Sequence, residues 1–156
     1  SVEKKVFGAL TTSGLSADAL ELELTESVLA TDNEHLDAVL KLLRAQGVQI
    51  AIDDFGTGYS NLSYLHRFAV HRLKIDKSFV RNICTSLHDE GIVRAIIEMA
   101  HCLGLEVVAE GVENAEILER LQKFGCKYGQ GFYWLPAVAM PDFITFAEKW
   151  QSRMAV

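Results

Sequence analysis

Val48-Gln49-Ile50-Ala51-Ile52-Asp53-Asp54-Phe55-Gly56-Thr57-Gly58-Tyr59-Ser60 reads as a short apolar strand, 48–52, running into a polar, glycine-rich turn, 53–60. Gly47 stands just before it and ends a helix whose residues Leu36, Val39, Leu40 and Leu43 keep helical spacing, with Thr31 or Asp32 as its cap. The same alternation of helix, strand and turn continues in both directions. Upstream, a helix over 2–12 closes at Gly14 and a strand follows over 19–24. Downstream come a short helix near 61–67, a strand over 71–75 and an irregular passage. A long helix over 87–103 then presents Ile92, Ile96, Met99 and Leu103 on one face. A buried strand over 105–109, a helix capped by Asn114, a last strand over 126–130 and a closing helix begun by Pro141 complete the chain. Strands separated by helices pair in parallel, because a parallel neighbour needs a crossover. An α/β fold follows, either a doubly wound sheet or a (βα) barrel. No glycine-rich dinucleotide fingerprint follows any strand, which weakens the first.

Composition bounds the function. The chain has 156 residues, 49% hydrophobic and 23% charged, with a formal net charge of −6. Domains of ~100–150 residues are typical, so the length suits one domain with a real core. A mean hydropathy of +0.14 excludes a disordered chain. No apolar run approaches the ~20 residues of a membrane helix, and the opening does not read as a signal peptide. The acidic balance argues against duplex nucleic acid as a partner. Cys84, Cys102 and Cys126 are odd in number and keep no ligand spacing. Reduced, buried thiols in a cytoplasmic protein fit them better than disulfides or zinc.

The unusual residues fall at strand ends. Glu23 ends the first strand, Asp53 and Asp54 follow the second, Lys74 lies in the third, Glu110 follows the fourth and Gln130 ends the fifth. In a parallel sheet these ends share one rim, where α/β folds carry their chemistry. With Leu20, Leu22 and Leu24 under the helices, Glu21 and Glu23 face the opposite side, and Lys74 alternates with Leu73 and Ile75 in the same way. Several carboxylates around one lysine repel each other unless cations neutralise them. Oxygen ligands without His or Cys favour Mg²⁺ or Mn²⁺. Adjacent Asp53 and Asp54 can serve two metals, an arrangement suited to in-line displacement at phosphorus.

Each residue also has a plain structural reading. Asp53-Asp54 before Phe55-Gly56 makes an ordinary turn, Glu110 a loop acid, Lys74 a surface lysine and Gln130 a turn residue between glycines. Their joint fall on strand ends outweighs those separate readings. The turn is no P-loop, since a Gly-Lys-Ser/Thr ending is absent. Its glycines suit a mobile rim loop over a ligand. Glu26 and Glu113 stand three residues beyond Glu23 and Glu110, placed to hold that loop. Basic residues gather at His66, Arg67, His71, Arg72, Lys74, Lys77 and Arg81, able to attract phosphates but for the most part a solvated face. Phe132, Tyr133 and Trp134 offer either core packing or a stacking surface.

Five runs carry a resemblance: Glu21-Leu-Glu-Leu-Thr-Glu-Ser27, Asp53-Asp-Phe-Gly-Thr-Gly-Tyr-Ser60, Leu73-Lys-Ile-Asp-Lys-Ser-Phe79, Val108-Ala-Glu-Gly-Val-Glu113 and Gly129-Gln-Gly131. In order and spacing they resemble the EAL family, cyclic di-GMP phosphodiesterases built on a modified TIM-type (βα) barrel. The resemblance implies a two-metal Mg²⁺ or Mn²⁺ site, with Glu23 and Asp53 on one ion and Asp53, Asp54 and Glu110 on the other. It implies that Lys74 meets the attacking water and neutralises charge, with Gln130 positioning that water and Glu110 completing the catalytic group. Glu26 and Glu113 match acids that steady the loop Phe55, Gly56, Thr57, Gly58, Tyr59 and Ser60, which lies near the substrate and the family's usual dimer interface. The implied reaction opens cyclic di-GMP to linear pGpG.

The Glu-Ala-Leu strand and an Asn-bearing strand of the family have no counterpart in this sequence. The expectation is therefore a partial EAL domain over 1–156, an incomplete barrel of about five parallel strands where a full one takes ~200–250 residues. Open strand edges and an exposed apolar interior are expected with it, together with a homodimer, weak or absent turnover, and regulatory or diguanylate-cyclase-type domains in the parent protein. Two other readings compete: a non-catalytic module that binds cyclic di-GMP or docks a protein, and a metal-dependent lyase using Lys74 as its base.

Overall fold

A computed structural model describes residues 1–29, 34–58, 65, 67, 68 and 70–154, with side chains to 151. The expected caps Thr31 and Asp32, most of the helix near 61–67, and Tyr59, Ser60 and His66 lie outside the described residues. The chain runs α1 (Val2–Ser13), a 3₁₀ turn (Ala17–Ala19), β1 (Glu21–Thr25), α2 (Glu26–Leu29), α3 (Glu34–Ala45) and β2 (Gln49–Phe55). It continues through β3 (Arg72–Ile75), α4 (Lys77–Arg81), α5 (Leu87–Cys102), β4 (Glu106–Glu110), α6 (Ala115–Lys123), β5 (Tyr128–Gln130) and α7 (Met140–Met154).

The five strands form one parallel sheet in the order β1-β2-β3-β4-β5. Each new strand joins on the same side as the last. A doubly wound sheet reverses its order at a switch point, and none occurs here, so the open sheet is an arc of the barrel type.

Alternation along the strands sorts the side chains. Ile50, Ile52, Leu73, Ile75, Val107 and Ala109 are buried and join one core with Leu40, Val93, Ile97, Ile117 and Leu121 of the helices. The long helix α5 buries Val93, Ile96, Ile97 and Ala100. The expected stripe is therefore rotated: Leu103 is 50% exposed, and Ile92 and Met99 only flank the core. Local sequence sets the helix ends. Ser86 accepts from the Asp89 amide at 3.2 Å, Asn114 from the Ile117 amide at 3.0 Å, and Gly47 closes α3 region with φ +98°. The passage after β3 is not irregular, because Asp76 caps the short α4 by accepting from the Ser78 amide at 2.9 Å.

The other face of the sheet differs from the expected apolar interior. Below the site its side chains form a charged tier. Arg72 pairs with Glu21 at 2.7 Å and with Glu106 at 2.6 Å, while Tyr128 donates to Glu106 at 3.2 Å. His71 reaches Glu21 through Nε2 at 2.8 Å, so Glu21 joins both Arg72 and His71. Among the described residues the thiols Cys84, Cys102 and Cys126 are free; Cys102 is exposed, unlike the buried hydrophobe expected. No helix among them is long and apolar enough to cross a membrane.

Candidate active site

Carboxylates from three strands converge on one ammonium. Lys74, in mid β3, is 6% exposed, and its Nζ lies 2.7 Å from Glu23 Oε1, 3.1 Å from Asp53 Oδ1 and 2.7 Å from Glu110 Oε1. The register explains the convergence: Lys74 stands opposite Val108, while Thr25 stands opposite Asp53 and Glu110 opposite Gln130. Burial alone lowers an ammonium's pKa, but the carboxylates of Glu110, Glu23 and Asp53 outweigh it and hold Lys74 well above the ordinary lysine value. The three carboxylates favour the charged ammonium, which suits charge neutralisation better than the base role of the lyase reading.

Asp53 and Asp54 meet on the same side by a backbone distortion. Consecutive strand residues normally point to opposite faces. Here Asp54 takes φ +53° where the β2–β3 register shifts between Ile52 and Phe55, and the strand turns the second carboxylate toward the first. Both acids thus lie within β2, where the sequence places a turn. Oxygens of Asp53, Asp54 and Glu110 fall within 4.8 Å of one another. Burial, then the like charges of Asp53 and Asp76, push the Asp54 carboxyl above its usual value.

This donor set fits a hard divalent cation. Asp53 Oδ1 is buried and makes no well-aligned hydrogen bond among the described residues, although Lys74 lies nearby. Three carboxylates this close repel one another, and a divalent cation among their oxygens would relieve that repulsion. Among the described residues no His or Cys joins the cluster.

The remaining expected residues divide. Glu26 is 3% exposed and accepts from the Gly56 amide at 3.4 Å, beneath the loop. Thr57 bonds back to the Asp54 carbonyl at 2.9 Å, and Gly58 packs on the Glu26 carboxyl. Phe55 ends β2 and lies in the core, 3% exposed. Glu113 pairs with Arg81 at 2.6 Å, which places it beside α4. Gln130 ends β5 exposed on the rim. Sequence reasoning missed Asp76, whose negative charge is one cause of the raised Asp54 carboxyl. Its signal was an Asp two residues before a Ser at the start of a short apolar helix.

The EAL domain family model matches residues 2–137. The chain belongs to the EAL domain family. It is 44% identical over 147 residues to the cyclic di-GMP phosphodiesterase NbdA of Pseudomonas aeruginosa, covering 92% of this chain and 19% of NbdA. MucR of the same organism, named a bifunctional diguanylate cyclase and cyclic di-GMP phosphodiesterase, is 43% identical over 127 residues, covering 81% of this chain and 18% of MucR. The solved MucR phosphodiesterase in complex with cyclic di-GMP superposes with a TM-score of 0.85 at 39% identity, over 90% of this chain and 57% of that one. Klebsiella pneumoniae BlrP1 with manganese and cyclic di-GMP gives 0.76 at 40% identity, over 83% and 33%. This EAL chain thus spans about a fifth of the curated relatives NbdA and MucR. The fold is that of the EAL domain, a TIM-like barrel arrangement.

Proposed function

We propose that this chain carries the catalytic rim of a divalent-cation-dependent phosphodiesterase that opens cyclic di-GMP to linear pGpG. The observation that carries the reading is the cluster of Asp53, Asp54 and Glu110 beside the buried ammonium of Lys74. Asp53, Asp54 and Glu110 would hold one Mg²⁺ or Mn²⁺, and Glu23 with Asp53 a second. Bound there, such ions polarise phosphate oxygens and favour deprotonation of water.

The chain's own residues do the rest. Lys74 stays protonated and offers positive charge and a donor where an attacking water and a phosphate oxygen gather negative charge. Gln130, opposite Glu110 in the ladder, orients that water with its amide. Water adds to one phosphorus, one P–O ester bond breaks, and the departing oxygen ends with a proton. Glu26 fixes the loop at Gly56–Gly58 that borders the site. As further parts of the proposal, the EAL domain works as a homodimer in the cytoplasm beside regulatory or cyclase-type domains; MucR, whose name joins a diguanylate cyclase to the phosphodiesterase, supports the last of these. Residues 1–156 would then be a partial EAL domain with weak turnover.

The test incubates the protein with cyclic di-GMP, with and without Mn²⁺, and follows pGpG by chromatography. Cation-dependent pGpG is expected, abolished by Asp53→Asn. Calorimetric binding of cyclic di-GMP with no pGpG under any cation favours the binding-module reading instead.

A further inference from the structure

Gln130 is flanked by two glycines, and each has a neighbour where a side chain would be. A Cβ on Gly129 would come 2.8 Å from the Trp134 ring. A Cβ on Gly131 would lie inside the van der Waals envelope of the Val112 backbone, against its nitrogen, carbonyl carbon and oxygen. Two hydrogen bonds draw the chains together there. The Val112 amide donates to the Gln130 carbonyl at 3.1 Å, and the Tyr133 amide donates to the Val112 carbonyl at 3.0 Å. Val112 is fully buried. The contact lies just past Glu110↔Gln130, the last pair of the β4–β5 ladder. The strand β5 has three residues, all exposed, and a single strand neighbour. A further bond, from the Trp134 amide to the Gly131 carbonyl at 3.3 Å, turns the chain back at the same point.

We propose that Gly131 and Val112 form a backbone clamp that sets Gln130 against Glu110, making Gly131 a positioning residue for the reaction. The inference rests on the phosphodiesterase reading for its catalytic consequence and on the backbone contact for its structure. Gly131→Ala cannot be absorbed by a side-chain rotation, because the atoms it meets are backbone. The end of β5 must move, and a displacement of about 1 Å at a catalytic group costs on the order of a hundredfold in rate.

Three proteins are compared: wild type, Gly131→Ala, and Ile117→Ala, which truncates a core side chain outside the clamp. Turnover of cyclic di-GMP and ¹⁵N–¹H spectra are recorded for each. Gly131→Ala is expected to lower kcat about a hundredfold with KM within threefold, and to shift Gln130 and Glu110 resonances while those of Ile50 and Leu73 stay. Ile117→Ala is expected to lower Tm yet keep kcat within threefold, which separates positioning from stability. A folded Gly131→Ala protein with kcat within threefold of wild type, or with unshifted Gln130 resonances, overturns the clamp. If Gly131→Ala does not fold, amide exchange in the wild type decides: protection of Val112 and Tyr133 equal to the β4 ladder supports the clamp, and loop-like exchange overturns it. A wild type that leaves cyclic di-GMP intact defeats the functional reading alone, and the spectra still judge the clamp.

Discussion

Arg72 reaches from β3 over Ala51 of β2 to Glu21 of β1, closing to 2.7 Å. Ala51 is the register partner of Arg72 and is fully buried, and its small side chain leaves the path clear. The same guanidinium holds Glu106 of β4 at 2.6 Å and lies 5.4 Å from the Tyr128 ring centroid of β5. One side chain therefore links four of the five strands on the face that carries the site.

Arg72→Met is expected to destabilise the fold by about 2 kcal/mol, since it leaves Glu21 and Glu106 without their guanidinium and removes charge-assisted hydrogen bonds. Urea unfolding measures the loss. A double-mutant cycle with Glu21→Gln should show coupling; strict additivity would contradict the bridge.

Lys74→Met leaves Glu23, Asp53 and Glu110 facing each other without their ammonium. Stability should fall at neutral pH, and Mn²⁺ should restore part of it. The pH dependence has a definite sign. Because the folded pKa of Lys74 is raised, its contribution is full below the ordinary value of 10.5 and fades as pH rises through the folded value. Wild type should thus lose stability on the alkaline side above about pH 10.5, and Lys74→Met should lack that component in thermal melts.

Asp76→Ala removes the cap of α4 and a negative charge near Asp54. A loss of about 1 kcal/mol is expected. Burial raises the Asp76 carboxyl, but its bonds to Ser78 prevail and hold it below the ordinary 3.8. Its stabilisation is present above that value and disappears as pH falls through the lower folded value. The gap between wild type and Asp76→Ala in denaturant melts should therefore close in strong acid.

Glu26→Ala removes the acceptor beneath Gly56. Exchange of the Gly56 amide should speed up at least tenfold, with the β3–β4 amides unchanged. Equal exchange in the two proteins would show that the loop does not depend on Glu26.

Much of this architecture is legible in the sequence because parallel α/β units alternate sharply. Leu36, Leu40 and Leu43 mark one helix face, and Ile50 and Ile52 mark the buried side of a strand. Glu23, Asp53, Lys74 and Glu110 stand out as charged residues within apolar strands, so their shared rim follows from strand polarity. The charged lower tier is less visible. Its members Arg72, Glu106 and Tyr128 obey the same two-residue period as Lys74 and Glu110, but their partners lie up to 51 residues apart. Periodicity names the face without naming the pairs. The rotated stripe of α5 has a different cause. Apolar residues surround much of that helix, and the choice among Ile92, Val93, Ile96 and Ile97 belongs to the sheet it packs on.

The left-handed turn at Asp54 restricts which substitutions can be interpreted. Asparagine and glycine tolerate that conformation, whereas β-branched residues resist it. A valine or threonine variant would change charge and chain path together, confounding two causes in one phenotype. Asparagine keeps the path and the shape while deleting the charge. Position 54 thus carries its own control experiment: Asn reports on electrostatics, and Gly on loss of the whole side chain together with a freer backbone.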